Sequence, residues 1–159
     1  MLEWIRNVLL VEDDPAVAEM ISDQLSIAGI STITAFTVHD AIRIIDEDAN
    51  SRLTYGIENS GDSMLDDCCD ESSHVYGFSG SKVFKKPNIF DVILLDGSLH
   101  SKNDGLAVLA RVKFHKTTAP VIAISGNPES NKLLCNNGAR LAVRKTQTSA
   151  ILGAVLTVR

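Results

Sequence analysis

Five polar positions stand at, or just beyond, the ends of apolar runs. Glu12 and Asp13 follow Asn7-Val8-Leu9-Leu10-Val11, and Asp96 closes Asp91-Val92-Ile93-Leu94-Leu95. Ser125 closes Pro120-Val121-Ile122-Ala123-Ile124, and Lys145 lies just past Leu141-Ala142-Val143. Brought together, three carboxylates make a hard-oxygen site suited to Mg²⁺, which keeps several waters and takes few protein ligands. A carboxylate such as Asp96 can attack phosphorus to form an aspartyl phosphate. The Lys145 ammonium offers a point charge to one phosphate oxygen, and the Ser125 hydroxyl a hydrogen bond to another. The chemistry is phosphoryl transfer, in which positioning and charge neutralisation carry most of the catalysis.

Singly, each residue has a plainer explanation. Acids ahead of a helix cap it and oppose its dipole, and Asp commonly opens a turn. One acid suffices for a cap, however, whereas Glu12-Asp13-Asp14 supplies three. Crowded carboxylates repel unless a cation is present.

Such a site needs elements that bring the five positions to one place. The short apolar runs read as strands buried on both faces, the third being Asn88 to Asp96, closed by Gly97-Ser98. Ile30 to Ala35 supplies another strand. Pro15 opens a helix carrying Val17, Ile21, Leu25 and Ala28, and Gly29 stops it. Thr37 with Asp40 forms a capping box before Val38, Ala41, Ile42 and Ile45. Leu106, Leu109, Ala110 and the stem of Lys113 outline a third helix. A fourth runs from Pro128 towards Gly138, and the last from Thr146 to Val158, with Ile151, Ala154, Val155 and Val158 on one face. Five strands alternating with five helices predict parallel pairing, right-handed crossovers and a doubly wound α/β fold. In a parallel sheet the carboxyl ends of the strands share one edge, where ligands bind.

Residues 51–88 break this rhythm. A 38-residue connection greatly exceeds the roughly 2–6 residues usual between such elements. From Glu58 to Glu71 it carries six acids and no base, which predicts an insertion with disorder at least over 58–72. His74 to Phe78 and Lys82 to Phe84 have the pattern of a small hairpin. Otherwise the 159 residues read as a single domain, and the net charge of −5 argues against a nucleic-acid surface. The chain has neither a membrane-spanning run nor a secretory start. Three cysteines, two of them adjacent, make no disulfide framework, so a reducing cytoplasm is the expected compartment.

The ordered set resembles the receiver domain of response regulators in two-component signalling. It comprises Val8 to Asp14, Asp91 to Asp96 with Asp104-Gly105-Leu106, Pro120 to Gly126, and Gly138-Ala139 with Lys145. The resemblance covers the chain outside 51–88 and implies the flavodoxin-like sheet order 2-1-3-4-5 known for the chemotaxis receiver. It further implies that Asp96 accepts a phosphoryl group from a kinase phosphohistidine. Asp13 and Glu12 would bind Mg²⁺ with Asp96 and the backbone of Ser98, while Ser125 and Lys145 hold the phosphoryl oxygens. Such a domain is a phosphoacceptor and not an enzyme, beyond self-catalysed phosphorylation and dephosphorylation. Its partners would be a sensor histidine kinase or histidine phosphotransfer protein and a downstream protein, and a homodimer is compatible with it. No effector domain is expected after Val158, so output would run through protein contacts, onward phosphoryl transfer or a partner-specific surface formed by 51–88.

Departures from the family pattern cluster on the readout side. Thr146 follows Lys145 where Pro is usual, and a cis bond there would cost about 2.5–4 kcal/mol, so trans is expected. Ala142 occupies the usual aromatic position. The loop after Asp96 is one residue longer and carries His100 in place of Pro, and the fourth helix is about two residues short. These changes sustain a rival reading, a degenerate receiver that serves as a non-phosphorylated binding scaffold. A haloacid-dehalogenase phosphatase would need an acid two residues past the nucleophile, where Ser98 stands. A nucleotide-binding P-loop is absent from the sequence. Cys68-Cys69 lie in the acidic stretch, Cys135 reads as a packed or half-exposed thiol, and the four histidines show no metal-site spacing.

Overall fold

In the computed structural model the described residues are 5, 7–58, 89–101 and 103–158. Five strands alternate with five helices: β1 Asn7–Val11, α1 Pro15–Ile27, β2 Ser31–Ala35, α2 Val38–Glu58, β3 Val92–Asp96, α3 Asp104–Phe114, β4 Val121–Ser125, α4 Pro128–Asn136, β5 Leu141–Arg144 and α5 Thr148–Thr157. All pairings are parallel, and the order is β2-β1-β3-β4-β5, as expected.

Both sheet faces are covered, which explains why the strands read as continuous apolar runs. Leu9, Val11, Ile93 and Leu95 pack with Ile45, Leu109 and Leu134 of α2, α3 and α4. On the other face, Val8, Leu10, Leu94 and Ile124 pack with Ile21 and Leu25 of α1 and Ile151 and Val155 of α5. The edge strand β5 is mostly exposed. No helix among the described residues is long and apolar enough to cross a membrane.

Local chemistry sets the element ends. Thr37 Oγ1 accepts the Asp40 amide at 3.0 Å and donates to its carboxylate at 2.7 Å, capping α2. Gly29 and Gly138 take φ of +76° and +108° after α1 and α4, a region that favours glycine. No cis peptide occurs among the described residues, so the Lys145–Thr146 bond is trans as expected.

Four boundaries or faces differ from the sequence reading. The ladder of β3 begins at Val92 and not at 88, because the residues before it serve as anchors. Ile89 donates its amide to Asp48 Oδ1 at 2.7 Å, and Asp91 Oδ2 accepts the Asn7 amide at 3.0 Å. Helix α2 continues through residues 51–58, which had been assigned to the insertion. Arg52 lies one turn after the fully buried Asp48 and pairs with it at 3.0 Å, so polar residues extend the helix at this point. The remainder of the proposed insertion, with its hairpin, disorder and cysteine pair, lies outside the described residues. Helix α3 turns Gly105, Val108, Leu109 and Val112 inward and leaves Ala110 and Lys113 exposed. Gly105 fixes that rotation, since a Cβ there would lie 3.1 Å from the Asp96 carbonyl oxygen. Finally, α5 starts at Thr148, two residues late, because a turn closed by Gln147 N–H donating to Arg144 C=O precedes it.

One polar tie joins α2 to α3. Arg111 Nε and Nη2 reach the two Asp46 oxygens at 2.6 and 2.8 Å, and His115 Nε2 lies 2.8 Å from Oδ1. The guanidinium hydrogen bond is the main cause holding the Asp46 carboxyl below its ordinary value of 3.8, with burial opposing it. A carboxyl lowered on folding stabilises the fold above its unfolded pKa, and the benefit is lost as pH falls through the folded value. Asp46→Asn is therefore expected to unfold at lower urea than wild type at pH 7. Below about pH 4 the two midpoints should converge, as followed by circular dichroism.

Candidate functional site

The carboxyl edge of the sheet gathers all five singled-out side chains. Pairing of β1 with β3, with Val11 opposite Leu95, sets Glu12 and Asp13 beside Asp96. The β3–β4 register carries the edge onward to Ser125, and the backbone at Lys145 is tied to it by an amide bond to the Ser125 carbonyl at 3.3 Å. The three acids divide their work. Asp14 caps α1, its Oδ1 accepting from Ala16 and Val17 amides at 2.9 and 3.3 Å. That leaves Glu12 and Asp13 free of the capping role.

Glu12, Asp96 and Ser125 are fully buried, and the Lys145 side chain is 20% exposed. Asp96 Oδ1 accepts the Ser98 amide at 2.8 Å, and Oδ2 accepts from Lys145 Nζ at 2.6 Å. Glu12 Oε1 takes the same ammonium at 2.9 Å and the Asp14 amide at 3.1 Å. Its Oε2 is 2.8 Å from Nζ as an ion-pair contact but accepts no hydrogen bond. One ammonium thus serves two buried carboxylates.

Glu12, Asp13 and Asp96 each present an oxygen within 4.8 Å of the others. An all-oxygen donor set holding a buried, un-hydrogen-bonded carboxylate oxygen fits a hard divalent cation such as Mg²⁺. Ser98 enters through its amide, which orients Asp96, and through its hydroxyl, 2.7 Å from Ser125 Oγ. Ser125 Oγ also accepts the Asn127 amide at 3.1 Å. Asn131, on α4, donates to the Val143 carbonyl at 3.0 Å, so the β4 and β5 ends are braced together behind the site.

Two residues of this site escaped the sequence reading in their roles. His100 Nδ1 lies 2.9 Å from Asp13 Oδ2, although spacing alone gave no reason to join a histidine to the acids. The available signal was its position four residues past Asp96. The Ser98 side chain was the other, since only its backbone had been singled out. Ala142, on the exposed edge strand β5, pairs with the buried Ala123 of β4.

Charge regulation follows from burial. Burial is the main cause raising the Glu12 carboxyl above its ordinary value of 4.5, with Asp96 adding to it and Lys145 and the Asp14 amide opposing. Burial also works against the Lys145 ammonium, but its bonds to Asp96 and Glu12 outweigh that and hold its pKa above 10.5. For Glu12 the raised carboxyl stabilises the fold below about pH 4.5, and this is lost as pH rises through the folded value. In metal-free buffer the wild-type urea midpoint is expected to fall across that range. Glu12→Gln, which cannot ionise, should show a shallower fall.

No protein-family model matches the sequence, and no curated protein matches it. Solved structures do. The receiver domain of the Francisella response regulator 1452 is 20% identical, with 94% of this chain and 93% of that one covered and a TM-score of 0.61. The receiver domain of the histidine kinase CKI1 from Arabidopsis thaliana, complexed with Mg²⁺, is 18% identical, with 96% and 94% covered and a TM-score of 0.63. A CheY-like response regulator receiver domain protein from Methanospirillum hungatei is 15% identical, with 96% and 91% covered and a TM-score of 0.61. The chain has the fold of response-regulator receiver domains.

Proposed function

We propose that the chain is a phosphoacceptor receiver of a two-component or phosphorelay system, acting in the cytoplasm. The observation that carries this reading is the setting of Asp96. It is fully buried at a strand end, with one oxygen on the Ser98 amide and the other on Lys145, beside two further carboxylates. In the proposed step, an Asp96 oxygen attacks the phosphorus of a phosphohistidine on a sensor kinase or phosphotransfer protein. The O–P bond forms as the N–P bond breaks, and the imidazole leaves. Glu12, Asp13, Asp96 and the Ser98 backbone would hold Mg²⁺, which when bound neutralises charge on the transferred group. Lys145 is placed to exchange its carboxylate contact for a phosphoryl oxygen, and Ser125 to donate its hydroxyl. The chain is a phosphoacceptor, with at most self-catalysed gain and loss of the group, and passes its signal to a downstream protein by contact.

Incubation with Mg²⁺ and acetyl phosphate, followed by intact mass, tests this directly. Wild type is expected to gain one phosphoryl group and Asp96→Ala none. The scaffold reading, favoured by Ala142 on the exposed edge strand, predicts no adduct on either protein, even with histidine kinases as donors.

His100 supplies a second check on the metal. Its contact with Asp13 Oδ2 leaves the other oxygen of that carboxylate to face a cation, and such partners orient ligands. His100→Ala is expected to weaken Mg²⁺ binding about tenfold in calorimetric titration. Unchanged affinity would assign the contact to loop packing alone.

A further inference from the structure

The opposite edge of the sheet holds a cavity of about 420 Å³ between the end of α3, the start of β4 and the turn from α4 into β5. Its lining separates into two chemistries. Leu109, Val112 and Val121 are buried core residues and present an apolar floor. Lys113, Lys116 and Arg140 are exposed and stand around it, and among the described residues no acidic side chain lines it. This concentration of positive charge stands out on a chain whose net charge is −5.

Backbone features hold the cations there. Lys116 has φ of +50°, the one positive value at a non-glycine among the described residues. Its amide donates to the Lys113 carbonyl at 3.0 Å, so the chain turns sharply at the end of α3, and both lysines line the cavity. Gly138 gives Lys113 its path, since a Cβ there would lie 2.7 Å from the lysine Cε. Arg140 is placed by its amide bond to the Val121 carbonyl at 2.7 Å. Attraction to helix carbonyl ends accounts for Lys113, which lies in the last turn of α3. The left-handed turn at Lys116 closes the same helix, with Lys116 N–H donating to Lys113 C=O and Thr117 N–H to Val112 C=O, so the end of α3 accounts for Lys116 as well; it does not account for Arg140 at the entrance to β5.

We infer that this cavity is a second ligand site, for a small phosphorylated molecule with a flat apolar portion, the chemistry of a nucleotide. The volume lies within the roughly 300–1,000 Å³ of small-molecule pockets, and an apolar floor with a few convergent polar groups is their usual composition. The floor takes the flat portion, and the two ammonium groups and the guanidinium take the phosphates. Asp96 lies at the other end of β3, so the site is separate from the phosphoacceptor and does not depend on that reading.

Calorimetric titration of the full chain with ATP in Mg²⁺-free buffer tests it, with adenosine and tripolyphosphate as separate probes. ATP is expected to bind more tightly than either fragment, and equally to wild type and Asp96→Ala. Arg140→Ala and Lys116→Gly should each lower affinity about tenfold or more, the loss expected for a charge-assisted hydrogen bond. Glycine suits the left-handed backbone at 116, so weaker binding by that variant reports the missing ammonium and not a misfolded turn. Absence of ATP binding to wild type, or binding unaltered in both variants, overturns the site. Tripolyphosphate binding as tightly as ATP overturns the role given to the apolar floor.

Discussion

Two carboxylates without solvent exposure, Glu12 and Asp96, share one ammonium, that of Lys145. Buried charges are tolerated only when paired and hydrogen-bonded, and here the pairing is incomplete by design of the sheet edge. Three acids gather around one ammonium, with His100 against Asp13, and one Glu12 oxygen accepts no hydrogen bond. The rest of the architecture exists to hold that imbalance in place. Parallel pairing of β1 with β3 forces the acids together, and β4 with β5 delivers the base from the far side. Asp14 takes over the helix cap, so neither of its neighbours is diverted to it. The result is a locus short of positive charge, whose three carboxylates could hold a metal ion.

Much of this was legible in the sequence because the signals were local and repeated. A buried parallel strand must be apolar throughout, so the polar residues that follow the runs, Glu12, Asp96, Ser125 and Lys145, mark the carboxyl edge. The same periodicity placed all five helices. What failed had causes outside the apolar pattern. The inward stripe of α3 is set by Gly105 against the Asp96 carbonyl, a contact between residues nine apart that no helical periodicity reveals. Helix α2 outran its apolar pattern because Arg52 could neutralise the buried Asp48. His100 joined the site through a loop conformation, and the partner it found, Asp13, is 87 residues away in the chain.

The β4–β5 side poses a different physical problem. Ser98 and Ser125 are already joined hydroxyl to hydroxyl, and Asn131 braces β4 to β5. With Ala142 on the edge strand, no bulky ring stands ready to change its burial there. The hydroxyl pair joins an exposed Ser98 to a fully buried Ser125, so this hydrogen bond links the surface of the edge to its interior.

The bond from Ile89 N–H to Asp48 also deserves a mechanical reading. It ties the point where the chain re-enters the sheet to a carboxylate in the middle of a long helix. Closure entropy then rises only slowly with the number of residues between the two attachment points, about 0.6 kcal/mol per doubling. The anchor at Ile89 and the acid Asp96 stand at opposite ends of β3, a full strand apart.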